Sequence, residues 1–119
     1  MPINKGEVYW VTLTGQGHEQ QGRRPCIVMS RPALNKAVRT IIIVPLTTTP
    51  GPDPSFRIRI PASQILKDAA CNSTIENSIA KCDQVRVLDQ TLLESRIGRL
   101  TDTAIAAVEL GIAYVFDLR

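Results

Sequence analysis

The sequence predicts an α+β fold: a small, mostly antiparallel β barrel or twisted sheet with one C-terminal helix as cover. Three observations predict it. Short runs rich in β-branched and apolar residues recur up to about position 100. Glycine and proline clusters separate them. Only the C-terminal segment repeats its apolar residues at clear helical spacing. With 119 residues the chain has room for one hydrophobic core, and we expect one domain spanning 1–119.

The first strand reads as Glu7 to Leu13, carried by Val8, Tyr9, Trp10, Val11 and Thr12. Thr14 to Arg24 follows, eleven residues with three glycines, too long for a tight hairpin. Pro25 to Ser30 reads as a buried second strand, and Pro32 to Lys36 as a turn or a single helical turn. Arg39 to Thr47 is the most apolar run and so the central strand. Pro45 inside it cannot donate to a ladder, so a bulge or strand end is expected there. Thr48 to Ser55, with three prolines and a glycine, is a second irregular loop.

Phe56 to Ile60 alternates: Phe56, Ile58 and Ile60 face one way, Arg57 and Arg59 the other. The arginines are most simply the wet face of an amphipathic strand. Ala62 to Asn72 has little pattern. Ser78 to Val87 reads as one strand, with Ala80 and Cys82 on one side and Ile79 on the other. Asp89 to Glu94 suits a short helical turn, and Arg96 to Leu100 a short edge strand. Asp102 to Phe116 is the clearest helix, about 22 Å long. Thr101 is its N-cap, Asp102 suits its dipole, and Ile105, Val108, Ile112 and Val115 form its apolar stripe.

Composition narrows the function. Hydrophobic residues are 44% and charged residues 21%, an ordinary globular balance that excludes disordered and collagen-like chains. No apolar run approaches the roughly 18 residues of a membrane helix, and the N-terminus lacks a signal-peptide stretch. Cys26, Cys71 and Cys82 are an odd set without CxxC spacing, which points to reduced thiols, a cytoplasmic location and no metal cage. Residues 1–60 hold eight Lys/Arg against three Asp/Glu, and residues 61–119 six against eight. The positive field of the first half is compatible with a polyanion partner.

Three polar clusters stand out. GHEQQGRRP (17–25) packs an imidazole, a carboxylate, two amides and two guanidiniums together. Lys81, Asp83, Gln84 and Arg86 interrupt an apolar strand, and Thr47 opens a run of threonines where the central strand ends. Such groups suffice to cut RNA without a metal or cofactor. RNA carries its own 2′-hydroxyl nucleophile, so the protein need supply only a base, an acid and cations against the developing phosphorane charge. His18, Glu19 and Asp83 are candidates for proton transfer; Arg24, Arg23 and Lys81 for charge stabilisation. Each also has a plainer reading. His18 and the paired arginines suit a solvated loop, Lys81, Asp83 and Arg86 an ion-pair ladder, Thr47 a strand-end hydroxyl, and Cys82 a small core residue.

Five motifs, KGEVYWVTL, GHEQQGRRP, VPLTT, AKCDQVRVLD and RIGRL, occur in an order that resembles the MazF/PemK/Kid toxins of bacterial toxin–antitoxin pairs, closest to the Kid/PemK branch. The likeness runs from about Lys5 to the C-terminus. It implies an SH3-like barrel of the MazF/CcdB type, a homodimer, and a metal-independent endoribonuclease. Such an enzyme cuts single-stranded RNA at short sequences to leave 2′,3′-cyclic phosphate and 5′-hydroxyl ends. By resemblance Arg24 and Thr47 are catalytic, His18 also acts, and Asp83 is the base. Lys81 stands where the branch has an arginine, keeping the charge but losing the planar fork, so the acid is Lys81, Arg24 or His18. Glu19, Gln20, Gln21, Arg23, Gln84 and Arg86 are expected around the RNA. The expected partners are single-stranded RNA and a cognate antitoxin with an acidic, partly disordered segment, with no membrane involved. Two alternatives remain at this level: a non-enzymatic gyrase-binding toxin of the CcdB kind, kept alive by Tyr114 and Phe116, and an RNA- or antitoxin-binding module with a decayed site, suggested by Lys81. For a homodimer, the C-terminal helix or the Arg96–Leu100 edge would supply the contact.

Overall fold

Successive residues of a strand face opposite sides, so a strand apolar at both parities must be covered on both faces. That condition holds for β1 (Glu7–Leu13), β2 (Gly22–Val28) and β3 (Thr40–Thr47), antiparallel neighbours in the computed structural model. The structure describes residues 2–49, 51 and 56–118. Val8, Ile27, Val44 and Leu46 enter one apolar cluster. Val11, Cys26, Val28, Ile41 and Ile43 enter a second, from the alternate positions of the same strands. None of these nine is more than 1% exposed.

The remaining strands are β4 (Arg57–Ile60), β5 (Ile65–Lys67), β6 (Ser78–Lys81), β7 (Arg86–Asp89) and β8 (Arg96–Leu100). The order is β4-β6-β3-β2-β1-β8-β5, with β7 pairing beside β6 along β3, and every pairing is antiparallel. A six-residue helix, α1 (Pro32–Ala37), joins β2 to β3. The long helix α2 (Asp102–Phe116) covers the first cluster with Ala104 and Val108, and Thr101 caps it by accepting from the Ala104 amide at 3.3 Å. The mostly β fold with a C-terminal helix is as the sequence predicts, and β1 and α2 match their expected limits. Among the described residues no helix is long and apolar enough to cross a membrane.

The structure corrects several expectations. β2 begins at Gly22, not Pro25, because Arg23 and Arg24 pair with Thr12 and Val11. Both arginines therefore ride on a strand, and the connecting loop shrinks to 14–21. Ser78–Val87 is not one strand. It breaks at a 3₁₀ turn, Cys82–Gln84, which sends β6 to Leu46 and Thr47 and β7 to the stretch Thr40–Ile43. Pro45 is neither bulge nor strand end: it sits at the changeover between those two partners, where that side of the ladder has a gap. β8 is not an edge, because β5 pairs along it. This pairing needs Gly98, since a Cβ there would lie 2.1 Å from the Leu66 carbonyl oxygen. The buried line of α2 is Ala104, Val108 and Gly111, with Ile105, Ile112 and Val115 flanking it. Small residues there let the helix approach the sheet closely. Of the expected loop Thr48 to Ser55, residues 50 and 52–55 lie outside the described residues.

Candidate active site

β2 and β3 run together from Val28 opposite Ile43 to Cys26 opposite Pro45. Two further steps along this register bring Arg24 level with Thr47. Both line an open cleft of about 210 Å³, together with Trp10, Arg23, Thr48 and Ser78. The Thr47 hydroxyl accepts from the Thr49 amide at 3.1 Å, which turns the chain out of the strand. Arg24 is half-buried, and its Nε donates to the Gln21 carbonyl at 3.1 Å. Arg23 lies over the Trp10 ring, 4.3 Å from its centroid, and donates to Glu94 at 2.9 Å.

The 3₁₀ turn supplies the second part. β6 pairs with β4 so that Lys81 stands opposite Arg57. Arg57 grips Asp83 with a fork: Nε to Oδ1 at 2.7 Å and Nη2 to Oδ2 at 2.9 Å. Both side chains are about one-quarter exposed. Burial pushes the Asp83 carboxyl up, but the hydrogen bonds and charge of Arg57 outweigh it and hold the group below its ordinary value. Lys81 is pulled down from the usual lysine range by burial first, then by the neighbouring charges of Arg57 and Arg24, with Asp83 opposing. These groups, Arg24, Arg57, Lys81 and Asp83, therefore share one electrostatic environment.

The β1–β2 loop docks onto this turn through Gln20. Its amide N–H donates to Gln84 Oε1 at 3.1 Å, and its Oε1 accepts from Lys81 Nζ at 2.6 Å. Gln20 is only 8% exposed, so it fastens the loop and presents little to solvent. Glu19 accepts from the Gln16 amide at 2.7 Å, closing the loop on itself, and Gln21 reaches the Gly17 carbonyl at 3.5 Å. His18 is exposed on the same loop, and among the described residues no hydrogen bond or ion pair involves it. Arg86 stands on β7 opposite Ile43, where its charge is felt by the buried Cys26 thiol. The structure thus joins Lys81 and Gln84 through Gln20 and binds Asp83 to Arg57, brings the charge of Arg24 onto Lys81, sets Thr47 opposite Ile79 of the strand that carries Lys81, and leaves His18 and Arg86 outside that network. Cys82 is fully buried and its thiol is pushed up to about 11, first by burial and then by Asp83, as suits a core residue.

A model of the PemK-like, MazF-like toxins of type II toxin–antitoxin systems matches residues 4–116. The chain belongs to this family. The toxin is 30% identical over 113 residues to a protein of Mycobacterium tuberculosis named probable endoribonuclease MazF5, covering 95% of this chain and 92% of the relative. It is 26% identical to endoribonuclease PemK of Escherichia coli, covering 83% of this chain and 80% of that one. Among solved structures it is similar to MazF of Deinococcus radiodurans, with TM-score 0.77, 23% identity and 99% of each chain covered. It is similar also to the Mycobacterium tuberculosis toxin MazF-mt6, with TM-score 0.73, 19% identity, and 95% and 98% of the two chains covered. These neighbours share its fold.

Family membership does not favour the gyrase-binding alternative. Tyr114, one of the two residues that suggested it, packs its ring against Phe56 at 6.2 Å. The residue that sequence reasoning missed is Arg57. Its alternation with Ile58 fits a wet strand face, and only the β4–β6 register reveals that it stands over the acidic turn. The available signal was its sequence neighbour Phe56: the ring carries the Arg57 guanidinium at 5.7 Å and orients it.

Proposed function

We propose that this toxin is an endoribonuclease that cuts single-stranded RNA by activating the RNA's own 2′-hydroxyl. The reading rests on family membership together with one observation: Lys81 feels the charges of both Asp83 and Arg24, and Arg24 lines the open cleft. Asp83 takes the proton from the 2′-hydroxyl as its oxygen bonds to phosphorus. The bond from phosphorus to the 5′-oxygen breaks, and that oxygen takes a proton from the Lys81 ammonium. The products are a 2′,3′-cyclic phosphate and a 5′-hydroxyl. Asp83 then releases its proton to solvent and Lys81 recovers one, so no net proton is consumed. Arg24 stabilises the charge that builds on the phosphate oxygens, and Thr47 helps hold the phosphate in the cleft. Lys81 is chosen over Arg24 as acid because burial and neighbouring cations loosen its proton, whereas a guanidinium keeps its own. His18, Glu19, Gln21, Arg23, Gln84 and Arg86 contact the flanking RNA, and Gln20 seats the loop that carries several of them.

The toxin works in the cytoplasm as a homodimer. Leu110, Tyr114, Phe116 and Leu118 are all more than half exposed and supply an apolar face for the second copy. A cognate antitoxin with an acidic segment covers the basic cleft and blocks RNA entry. The purified toxin should cleave a long single-stranded RNA in excess EDTA, with cyclic phosphate ends on the products. Asp83→Asn and Arg24→Ala should each lower the rate by roughly a hundredfold or more without loss of folding. Wild-type rates in both variants would refute the assignment.

A further inference from the structure

We propose that Arg57 is a substrate-contacting residue of this site: it holds Asp83 while the site is empty and passes its fork to the scissile phosphate when RNA binds, freeing the carboxylate to act. The inference rests on the ribonuclease reading above.

Three features of the geometry lead to it. Both oxygens of Asp83 are occupied by the Arg57 fork, at 2.7 and 2.9 Å. Each oxygen keeps a second lone pair, but the fork weakens the carboxylate as a base, so the arrangement is a resting one and drawing the guanidinium off strengthens Asp83 for its role. The surroundings also carry surplus positive charge. Among the described residues, Arg57 and Lys81 face the one carboxylate of Asp83, and Arg24 adds its charge beside Lys81. A phosphodiester anion reduces that surplus, and its two non-bridging oxygens match a guanidinium fork as well as a carboxylate does. Finally, the position is built. Arg57 stands opposite Lys81 in the β4–β6 register and about one-quarter exposed, with its guanidinium over Phe56, whose ring packs on Tyr114 of α2. A short movement of the fork from carboxylate to phosphate keeps that ring contact while leaving Asp83 with Gln84 beside it.

Among the described residues, the charges at this turn are Arg57 from β4 and Lys81 from β6, with Arg24 from β2 acting on Lys81. The Cys82 thiol next to it stays neutral at ordinary pH. α2 meets the turn through Val108 and Gly111, and its nearby Glu109 is paired with Lys5. The acid limb of kcat/KM, which reports the free enzyme, is therefore governed by the Arg57–Asp83 contact.

The test uses the toxin itself, Arg57→Gln and Arg57→Lys, with RNA oligonucleotides carrying a single sulfur in place of either non-bridging oxygen at the cleavage site. Wild type should cut one of the two sulfur diastereomers at least tenfold more slowly than the oxygen substrate. Arg57→Gln should lose most of that difference, cut the ordinary substrate roughly a hundredfold more slowly, and show an acid limb moved to higher pH. Arg57→Lys, which keeps the charge without the fork, should recover part of the rate but not the sulfur discrimination. Equal sulfur effects in wild type and Arg57→Gln, with both proteins folded by circular dichroism, would overturn the proposal. So would an unmoved acid limb. If Asp83→Asn proves fully active, the assignment of the base fails, while the sulfur comparison still decides whether Arg57 touches phosphate.

Discussion

Lys81 carries a charge that burial and two neighbouring cations oppose, and that, among the described residues, Asp83 supports. That balance gives the reaction an alkaline limit. A lysine held below its ordinary value loses its proton earlier as pH rises, so kcat should fall on the alkaline side before the usual lysine range is reached. Lys81→Arg keeps its proton throughout. Its alkaline limb should disappear, and its rate near neutral pH should drop about tenfold or more because a guanidinium is a poor proton donor. A pH–rate profile with an unchanged alkaline limb in this variant would exclude Lys81 as the acid. Asp83 sets a second, separate limit on stability. Its folded value lies below the ordinary one, so folding binds fewer protons there, and its contribution is complete above the ordinary carboxyl value of 3.8. That contribution is lost as pH falls through the lower folded value. Urea midpoints measured from pH 6 downward should therefore fall in wild type, and Asp83→Asn should flatten part of that fall.

At the level of elements, the site depends on how closely α2 approaches the 3₁₀ turn. A Cβ added at Gly111 would stand 2.6 Å from the Cys82 sulfur and 2.8 Å from Ile58 Cγ1. Cys82 precedes Asp83, and Ile58 follows Arg57, so overpacking there displaces both halves of the fork. Gly111→Ala gains up to about 1 kcal/mol of helix propensity but should lose about 1–3 kcal/mol to overpacking. The net expectation is a lower melting temperature and a lower cleavage rate. A more stable, fully active variant would mean that the helix can retreat without moving the turn. This contact also explains which elements could be read from the chain. Glu7–Leu13 and Asp102–Phe116 were legible because their residue preference and apolar spacing agree along the whole element. The turn at 82–84 was not, because Ala80 and Cys82 continue the strand alternation while the backbone bends between two stretches of β3. The three residues of β5 are too few for a pattern and are held by Gly98 from another strand.

Across the whole molecule, the charge asymmetry of the sequence becomes a local field. The first half carries +5 and the second −2, yet the fold draws Arg24 and Arg57 of the first half onto Lys81 of the second. The polar motifs were visible as separate clusters; their convergence was not, because it runs through the buried Gln20 and through pairings between distant strands. A focused field of this kind makes a distinct prediction about binding. Single-stranded RNA releases counterions in proportion to the phosphates neutralised, with a slope of roughly 0.7 per contact in log affinity against log salt. Binding of a non-cleavable 2′-deoxy oligonucleotide should therefore lose about 0.7 of that slope in Arg24→Gln. Arg39 precedes the opposite end of β3, about 26 Å along the strand from Thr47. Arg39→Gln removes the same formal charge and should leave the slope nearly unchanged. If the two variants weaken binding equally and alter the slope alike, RNA responds to net charge alone, and the strand-end cleft is not where the phosphates sit.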